Sequence, residues 1–345
     1  MMESQGNTLL PCLLGGDIKQ LPPAVMTSAA DGVYDLGKED GKGGPVMTAM
    51  YNPLIADGSL SGLAFFQCQG FPVYRLRTQM RIAKGLFDII GQTIYPEVDW
   101  DYEESFCDID LPKFKMGRDL DSYVVDKYSV KTLVPEGKLA PIFLHCPSAM
   151  VSVDARTGSR RSPDQVQVAL KFLVDFVNAK HADPREIGVL SPYSGIVAAI
   201  TRELKKPAYS ALSNMRPPST IDGYQGQEMN VMVVVLATKF PNPGPGFTSN
   251  PKRLNVMMTR QKCGLVIVGD INVAGKVDGS HVGDKKGKRK RKGKGKGKEQ
   301  DKRIKVEGPE GQITSTRRRE LRSMNATLWQ LGRVANVDVV GQVEL

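Results

Sequence analysis

Two short strings of this 345-residue chain contain side chains that suit a polyphosphate. Thr220 to Glu228 reads Thr-Ile-Asp-Gly-Tyr-Gln-Gly-Gln-Glu, a polar turn that contains glycine and a carboxylate. Arg253 to Arg260 reads Arg-Leu-Asn-Val-Met-Met-Thr-Arg, a helix-like stretch with an arginine at each end. Guanidinium groups make planar, paired contacts with phosphate oxygens. Either arginine alone could be a solvated helix residue, but together the strings favour a site where carboxylate and guanidinium groups converge on phosphates.

An alternation of apolar strands and amphipathic helices surrounds these strings. Strands are predicted at 8–14, 71–76, 141–146, 187–190, 230–237 and 265–268. Helices are predicted at 163–180, 195–205 and 253–260, the first with Ser162 as N-cap and Pro163 as first residue. This order predicts an α/β fold with a doubly wound parallel sheet. Residues 95 to about 138 are acidic and irregular and are interpreted as an insertion.

The sheet prediction places some polar residues on a common edge. Asp17, Ser191 and Thr220 each follow or cap a predicted strand. Ligands of doubly wound sheets bind beyond the carboxyl ends of the strands. We therefore expect these three residues at that edge, where a ligand can reach them.

The positive charge of the chain is concentrated in one segment. Residues 276–305, the basic tract, hold 14 Lys and Arg against 4 Asp and Glu, a net +10 that equals the formal charge of the whole chain. Lys285 to Lys298 cannot form a core, so disorder is expected. Such tracts attract nucleic acid or serve as nuclear import signals, although a solvated linker is the alternative. The candidate contacts are Lys288, Arg289, Lys290, Arg291 and Lys292.

Composition excludes several other classes of protein. No apolar run approaches the roughly 20 residues that a membrane helix needs, and residues 1–8 are too polar for a secretory signal. Five widely spaced cysteines indicate a reducing compartment, nuclear or cytoplasmic. His145, His181 and His281 form no metal-binding pattern, so no metal site is predicted.

Two further strings extend the pattern toward the N-terminus. Gly16 to Pro23 reads Gly-Asp-Ile-Lys-Gln-Leu-Pro-Pro, and Arg75 to Arg81 reads Arg-Leu-Arg-Thr-Gln-Met-Arg. In order with the two strings above, they resemble motifs III to VI of superfamily 1B helicases, the group that includes the nonsense-mediated-decay helicase and senataxin. The resemblance covers residues 16 to 260 and excludes the basic tract. It implies that the main domain is the second RecA-like domain of a P-loop NTPase.

The resemblance also implies roles for individual residues. Gln20 would sense the γ-phosphate, and Arg81 and Arg260 would be arginine fingers that reach it. Glu228 would contact the ribose. The remaining residues of the motifs divide between the nucleotide (Gln225, Gly226, Met80 and Arg253) and single-stranded RNA or DNA (Thr220, Ser191 and Tyr193). ATP and Mg²⁺ are the implied cofactors. Met80 departs from the tyrosine that the family often has near the adenine, which leaves a sulfur contact in place of aromatic stacking.

The nucleotide-cradling motifs of the family are the main departure. The P-loop (Walker A) and the acidic Asp-Glu pair (Walker B) precede motif III in the family, whereas 15 residues precede Gly16 here. Gly32 to Glu39 matches Gly-x4-Gly-Lys, but Glu39 replaces the Ser or Thr that holds Mg²⁺. This match is interpreted as fortuitous, and the chain is expected to be catalytically incomplete, with a missing N-terminal ATPase half as a partner.

The domain prediction follows from these motifs. Residues 1–70 would be a remnant of the first RecA-like domain, 71–275 the second, 276–316 a disordered basic linker, and 317–345 a C-terminal helix and tail. Two other functions stay open. The chain could be a non-catalytic nucleic-acid-binding module that uses the basic tract, or an interaction protein that lends arginine fingers to a separate ATPase.

Overall fold

A computed structural model describes residues 13–21, 23, 32–39, 45–49, 60–130, 133–277, 304–307, 313–316 and 319–339. The chain divides into two compact units, residues 1–75 and 76–345. Most of the predicted strand at 8–14 and all of the candidate import signal Lys288–Lys292 lie outside the described residues.

The first unit contains three described elements. Strand β1 (Gly32–Glu39) pairs with β2 (Pro45–Ala49) in an antiparallel hairpin. Helix α1 (Gly62–Cys68) begins at Ser61, whose side chain accepts a hydrogen bond from the Ala64 backbone at 3.2 Å. Since a P-loop connects a strand to a helix, the place of Gly32–Glu39 in a hairpin supports its interpretation as a fortuitous match.

The second unit is built on a six-stranded sheet in which every pairing is parallel. The strands, in their order across the sheet, are β14 (Val334–Asn336), β5 (Ile142–His145), β11 (Gln261–Gly269), β10 (Met229–Val235), β8 (Ile187–Ser191) and β9 (Ser219–Thr220). The central strands are buried along almost their whole length, as expected for a sheet covered on both faces. The predicted parallel α/β fold is therefore confirmed.

Helices cover both faces of this sheet. They are α2 (Asp88–Ile94), α3 (Glu104–Cys107), α4 (Lys115–Tyr128), α5 (Pro163–Lys180), α6 (Ser194–Glu203), α7 (Pro251–Met257) and α8 (Arg319–Gln330). Val266 and Val268 of β11 join the core beneath α4 and α5. The alternate residues Leu265 and Ile267 face a small cavity lined also by residues of α2 and α8.

Local signals account for the best-predicted helix. The Ser162 hydroxyl accepts a hydrogen bond from the Gln165 backbone, and Pro163 is the first residue of α5, which ends at Lys180 as predicted. His181 follows in the left-handed conformation that commonly ends a helix.

The predicted strand at 71–76 is wrong. Residues 71–77 are irregular, and the only strand nearby is the two-residue β3 (Thr78–Gln79), which pairs in parallel with β4 (Asp101–Tyr102). Phe71, Tyr74 and Leu76 are exposed. An apolar run becomes a strand only where a sheet face buries it.

The irregular structure predicted for 95–138 is wrong, because this region holds α4 and contributes to the core. Gly117 of α4 lies so close to β11 that a methyl group there would overlap the Cys263 carbonyl oxygen. Leu120 and Val124 of the same helix are buried. Most of the acidic residues precede this helix, between Glu97 and Asp110, and Asp126 lies on its exposed face.

The described C-terminal residues, 319–339, pack onto the second unit. The predicted helix is present as α8, but the strand that follows it, β14, extends the sheet beside β5 and was missed. Asn325 of α8 donates a hydrogen bond to the Ile271 carbonyl at 2.7 Å. The basic tract and the hairpin of β12 (Ile304–Glu307) with β13 (Ile313–Thr316) therefore lie between two packed segments of one unit.

Two other short strands complete the unit. Strand β6 (Ser152–Val153) pairs with β7 (Arg160–Arg161) in an antiparallel ladder immediately before α5.

A buried ion pair holds the C-terminal strand. The Arg333 guanidinium is almost fully buried, and its Nη2 lies 2.7 Å from the Asp121 Oδ1 of α4. Asp121→Asn leaves the buried Arg333 charge without its counter-ion, which should lower the free energy of unfolding. We expect a loss of about 2 kcal/mol, less than for a fully buried pair, because Asp121 is partly exposed. Denaturant unfolding measures this change. Asp126→Asn, on the exposed face of the same helix, is the control, and equal losses for both variants would contradict the assignment.

Candidate functional site

A cluster of charged residues lies at the amino ends of β10 and β11. Glu228 directly precedes β10, and Arg260 directly precedes β11. The Met229 backbone donates a hydrogen bond to the Arg260 carbonyl at 3.0 Å. The segments that lead into β10 and β11 are therefore adjacent.

Glu228 is held between two cations. Its Oε2 lies 3.4 Å from Arg81 Nη1, and its Oε1 lies 3.0 Å from Lys262 Nζ. Burial raises the pKa of this carboxyl, but the hydrogen bond and charge of Lys262, together with Arg81, outweigh it and hold the pKa below its usual value. Glu228 is therefore ionised at neutral pH.

Arg81 is fixed by both its backbone and its side chain. The Gln79 side-chain oxygen accepts hydrogen bonds from the Arg81 and Ile82 backbones at 2.9 and 3.2 Å. The Arg81 Nη2 donates to the Thr259 carbonyl at 2.6 Å. This short segment before α2 is thereby attached to the end of α7.

Arg260 shares Thr259 with Arg81. Its Nη2 donates to the Thr259 hydroxyl at 2.9 Å, and its Nε donates to the Val256 carbonyl at 3.2 Å. Only 3% of Arg260 is exposed. Both predicted arginine fingers thus meet at one residue, but Arg260 is packed inside the fold whereas Arg81 is partly exposed.

A second group of polar residues lies at the opposite, carboxyl edge of the sheet. Ser191 ends β8 and Thr220 ends β9, and the two are paired in the ladder. The Ser191 hydroxyl accepts a hydrogen bond from the Tyr193 backbone at 3.2 Å, and the Thr220 hydroxyl accepts one from Gly223 at 3.3 Å. The predicted placement of Ser191 and Thr220 is confirmed. Asp17, in the first unit, accepts a hydrogen bond from the Lys19 backbone within a turn.

The string Thr220–Glu228 connects the two edges. It begins beside the carboxyl end of β8 and ends at the amino end of β10. Tyr224, in its middle, is buried, and burial raises the pKa of its hydroxyl. Gln225 and Gly226 are exposed, and Gly226 has a φ of +80°, a conformation that favours glycine. A single string thereby reaches both ends of the sheet.

Arg253 lies with aromatic residues and not with Glu228. Its guanidinium carbon lies 4.4 Å from the centre of the Phe247 ring, and its Nη2 lies 3.7 Å from Asp222 Oδ2. Phe247 stacks on Tyr193 with ring centres 5.1 Å apart. Among the predicted nucleotide contacts, the structure therefore brings Arg81, Glu228 and Arg260 together and places Arg253 elsewhere.

The other predicted nucleotide residues have less defined surroundings. Met80 is half-exposed and adjacent to Arg81 in the chain. Gln20 belongs to the first unit, where its backbone donates to the Asp17 carbonyl at 3.1 Å.

Sequence reasoning missed Lys262, which is the nearest cation to Glu228. Alternate residues of an extended strand project to the same side, so the two-residue spacing from Arg260 was an available signal. It also missed Phe247 and Arg160, which contact Tyr193. No signal in the local sequence relates these three residues, because they come from separate segments.

The donor set of the amino-edge cluster suits phosphate and hydroxyl groups. It offers three cations and one carboxylate that is already paired. Such a set does not fit a Mg²⁺ ion, which needs free oxygen ligands. Within the described part of the chain, no group of three or more His, Cys, Asp and Glu is arranged to hold a metal.

The carboxyl edge also contains a buried histidine. His145 Nδ1 accepts a hydrogen bond from the Ile271 backbone at 3.3 Å, and Asp270 lies 3.6 Å away. Burial lowers the pKa of His145, although the Asp270 charge opposes this. The unfolded chain therefore binds a proton more readily than the folded one. The contribution of neutral His145 to the free energy of unfolding is complete above the pKa that this histidine has in the unfolded chain. It is lost as the pH falls below that pKa.

This sign gives a testable pH dependence. Between about pH 7.5 and about pH 5.5, which brackets the ordinary histidine pKa, the free energy of unfolding should fall, and His145→Gln should flatten the curve. His181→Gln, at an exposed position, is the matched control. Unfolding in denaturant at a series of pH values measures it. Identical curves for the His145 variant and the wild type would contradict the assignment.

Comparison with known proteins identifies the relatives of this fold. Residues 63–272, more than half of the chain, match a family model described as an AAA domain. A regulator of nonsense transcripts 1 homolog from Neurospora crassa is 38% identical over 96 residues, which is 26% of this chain and 8% of that protein. Two others have broader coverage.

The DNA polymerase alpha-associated DNA helicase A of Saccharomyces cerevisiae is 32% identical over 117 residues, 34% of this chain and 16% of that protein. The probable helicase MAGATAMA 3 of Arabidopsis thaliana is 26% identical over 260 residues, 74% of this chain and 26% of that protein. The chain thus spans between 8% and 26% of the length of these three relatives. Among the helices that the structure describes, none has the length and apolar character needed to cross a bilayer.

Proposed function

Because the chain belongs to the superfamily 1B helicases, we propose that its second unit is the second RecA-like domain of a helicase that uses ATP to move on nucleic acid. The observation that carries this proposal is the meeting of Arg81, Glu228, Lys262 and Arg260 at the amino edge of the sheet. These residues come from three separate segments, and their chemistry is complementary to a nucleoside triphosphate.

Arg81 and Arg260 are proposed to face the γ-phosphate. Phosphoryl transfer spreads negative charge over three equatorial oxygens, and fixed guanidinium groups stabilise that charge without titrating. Lys262 is proposed to add a third positive charge. Glu228 is proposed to accept hydrogen bonds from the ribose hydroxyls, for which its ionised state is suited. In this arrangement Arg81 exchanges its ion pair with Glu228 for one with the γ-phosphate.

Gln20 is proposed to couple the γ-phosphate to strand movement from the first unit, as the family motif implies. Gln225, Gly226 and Met80 are proposed to border the nucleotide. The exposure of Gln225 and Gly226 and the half-exposure of Met80 support this.

The 345 residues are proposed to be catalytically incomplete by themselves. ATP hydrolysis in this family needs a P-loop and a Mg²⁺ site, and the Gly32–Glu39 match is a hairpin strand with Glu39 in place of the metal-binding hydroxyl. We propose that the arginines serve a P-loop half, either in one continuous polypeptide or in a separate partner.

Single-stranded RNA or DNA is the proposed polymer ligand. Thr220 and Ser191 at the carboxyl edge are proposed to contact its phosphates, and the basic tract is proposed to supply most of the non-specific affinity. The concentration of the entire net charge in that tract also favours the second candidate function, a non-catalytic nucleic-acid-binding module. Lys288–Lys292 is proposed as a nuclear import signal, and the protein as nuclear or cytoplasmic.

Nucleotide contact can be tested by NMR on this chain, labelled with ¹⁵N-arginine and joined to the P-loop half of a superfamily 1B relative. Millimolar ATP should shift the side-chain resonances of Arg81 and Arg260 in a saturable way. Arg185, whose guanidinium pairs with Asp183 on an exposed surface, is the internal control. Unchanged Arg81 and Arg260 signals at saturating ATP would contradict the proposed role of the cluster.

A further inference from the structure

A column of four alternating cationic and aromatic side chains stands at the carboxyl edge of the sheet. Its order is Arg160, Tyr193, Phe247 and Arg253. We propose that the outer end of this column, Phe247 with Arg253, is a stacking surface for a base of single-stranded nucleic acid. This inference rests on the proposed function and adds a base contact to it.

The inner half of the column is rigid. Arg160 and Tyr193 are 5% and 3% exposed, and the Arg160 guanidinium carbon lies 5.1 Å from the centre of the Tyr193 ring. Arg160 donates hydrogen bonds to the carbonyls of Ala237, Pro243 and Gly244 at 3.0, 3.0 and 2.6 Å. The contacts with Pro243 and Gly244 fix the loop that carries Phe247. Arg160 and Tyr193 therefore act as a foundation and are not free to bind a ligand.

Phe247 is fixed on that foundation and still reaches solvent. The Phe247 backbone donates to the Tyr193 hydroxyl at 3.1 Å, and the two rings are nearly parallel, at 22°. Gly246 beside it has no room for a side chain, because a methyl group would overlap Tyr193 and Arg160. Nevertheless 44% of Phe247 is exposed. Because Tyr193 and Arg253 lie on either side of its ring in the column, Phe247 supports the Arg253 plane, on whose outer face a base can lie.

Arg253 presents a flat surface whose charge is largely balanced. Its guanidinium lies 4.4 Å over the Phe247 ring and pairs with Asp222, so its plane is oriented from two sides. The nearby Asp222 carboxylate offsets part of the charge of Arg253. A guanidinium plane is, however, a good surface on which an unstacked base can lie, and every base has a face for it.

The position of the column favours a strand over a free nucleotide. Asp222 follows Thr220 by two residues in one turn, and Thr220 is the proposed phosphate contact. Glu228 and Arg81, the proposed nucleotide contacts, lie at the other end of the sheet. The base of a nucleotide whose phosphate touches Thr220 would therefore be near Arg253.

A strand that lacks bases can separate the contribution of base stacking to affinity from that of contacts with the sugar-phosphate backbone. The full chain would be titrated with a fluorescent single-stranded RNA and with the same strand carrying abasic sugars. Phe247→Leu keeps an apolar side chain without the ring, and Arg253→Lys keeps the charge without the plane. Each should weaken binding to the intact strand about 10-fold, since one stacked base contributes roughly 1–3 kcal/mol. Neither should affect binding to the abasic strand, and Phe247→Leu should leave the salt dependence unchanged.

A fluorescence reporter gives a second measurement. In Phe247→Trp, the introduced indole should be quenched by the intact strand and not by ATP. Equal losses on both strands, no loss on either, or quenching by ATP alone would overturn the stacking assignment. If Phe247→Leu has a lower melting temperature than the wild type, Arg253→Lys alone is used to compare binding to the intact and abasic strands. A wild-type chain that binds neither strand would overturn the proposed function as well, whereas normal wild-type binding without a base-dependent effect would overturn only the stacking surface.

Discussion

Replacing Arg260 by alanine should lower the ATP hydrolysis rate by about 10³- to 10⁵-fold when this chain is joined to the P-loop half of a superfamily 1B relative. The expected size is that of an arginine finger, which stabilises the charge that develops on the transferred phosphoryl group. Arg81→Ala should have an effect of similar direction, since Arg81 contacts the same Thr259 and is the more accessible of the two. Phosphate release under saturating ATP and RNA measures both rates.

The burial of Arg260 requires a control for folding. Arg260→Lys keeps a charge at the position but not the planar donor set, so it should remain folded and still be slow. Arg185→Ala is the matched control outside the cluster, because Arg185 pairs with Asp183 on an exposed surface. If the Arg260 variant hydrolysed ATP at the parent rate while its melting temperature matched the parent, Arg260 would have no catalytic role.

Excising residues 285–298 should weaken binding to single-stranded RNA about 100-fold at moderate salt. This segment holds ten Lys and Arg and no acidic residue. Each phosphate contact that is lost should reduce the log–log dependence of affinity on salt by roughly 0.7 on a single strand. Fluorescence anisotropy at several salt concentrations measures affinity and slope together. Replacing the segment by Gly and Ser of equal length controls for the loop closure that joins Val277 to Arg319.

A core substitution separates the two proposed nucleic-acid contacts. Thr220→Ala should change affinity much less than the excision and leave the salt slope nearly intact, because it removes one neutral hydroxyl. The excision should also reduce nuclear accumulation if Lys288–Lys292 is an import signal. A passive linker predicts no change in affinity, slope or location. Equal affinity and slope with and without the segment would assign nucleic-acid contact to the RecA-like core.

The fold was predictable wherever local chemistry and burial agree. Val231 to Val235 of β10 form an unbroken apolar run because both faces of the strand are covered, and α5 carries its own cap at Ser162. The placement of Ser191 and Thr220 followed from parallel pairing alone. The strand predicted at 71–76 and the irregular structure predicted at 95–138 were wrong because burial there is not decided locally. In both segments the secondary structure depended on whether a strand distant in sequence was there to pack against. Helix α4 has such a strand, β11, beneath Gly117.

The sequence predicts which residues belong to the candidate site but does not predict where the fold places them. The motifs name Arg81, Glu228, Arg253 and Arg260, but they do not reveal that α7 runs between two edges of the sheet. Arg253 and Arg260 consequently have different neighbours. The rule that ligands bind at carboxyl ends pointed only to the edge that holds Ser191 and Thr220. The cluster at the amino ends follows from the convergence of three segments, which no single window of sequence contains.

The most direct test of the central proposal is phosphate release by two preparations, with and without single-stranded RNA. The first is the 345-residue chain alone, and the second is the same chain joined to the P-loop half of a relative. If the second unit is a RecA-like domain that lends its arginines to a P-loop, the chain alone should release phosphate no faster than buffer. The joined protein should hydrolyse ATP in an RNA-stimulated reaction that Arg260→Ala abolishes. RNA-stimulated turnover by the chain alone, or a joined protein whose activity is indifferent to Arg81 and Arg260, would contradict the account.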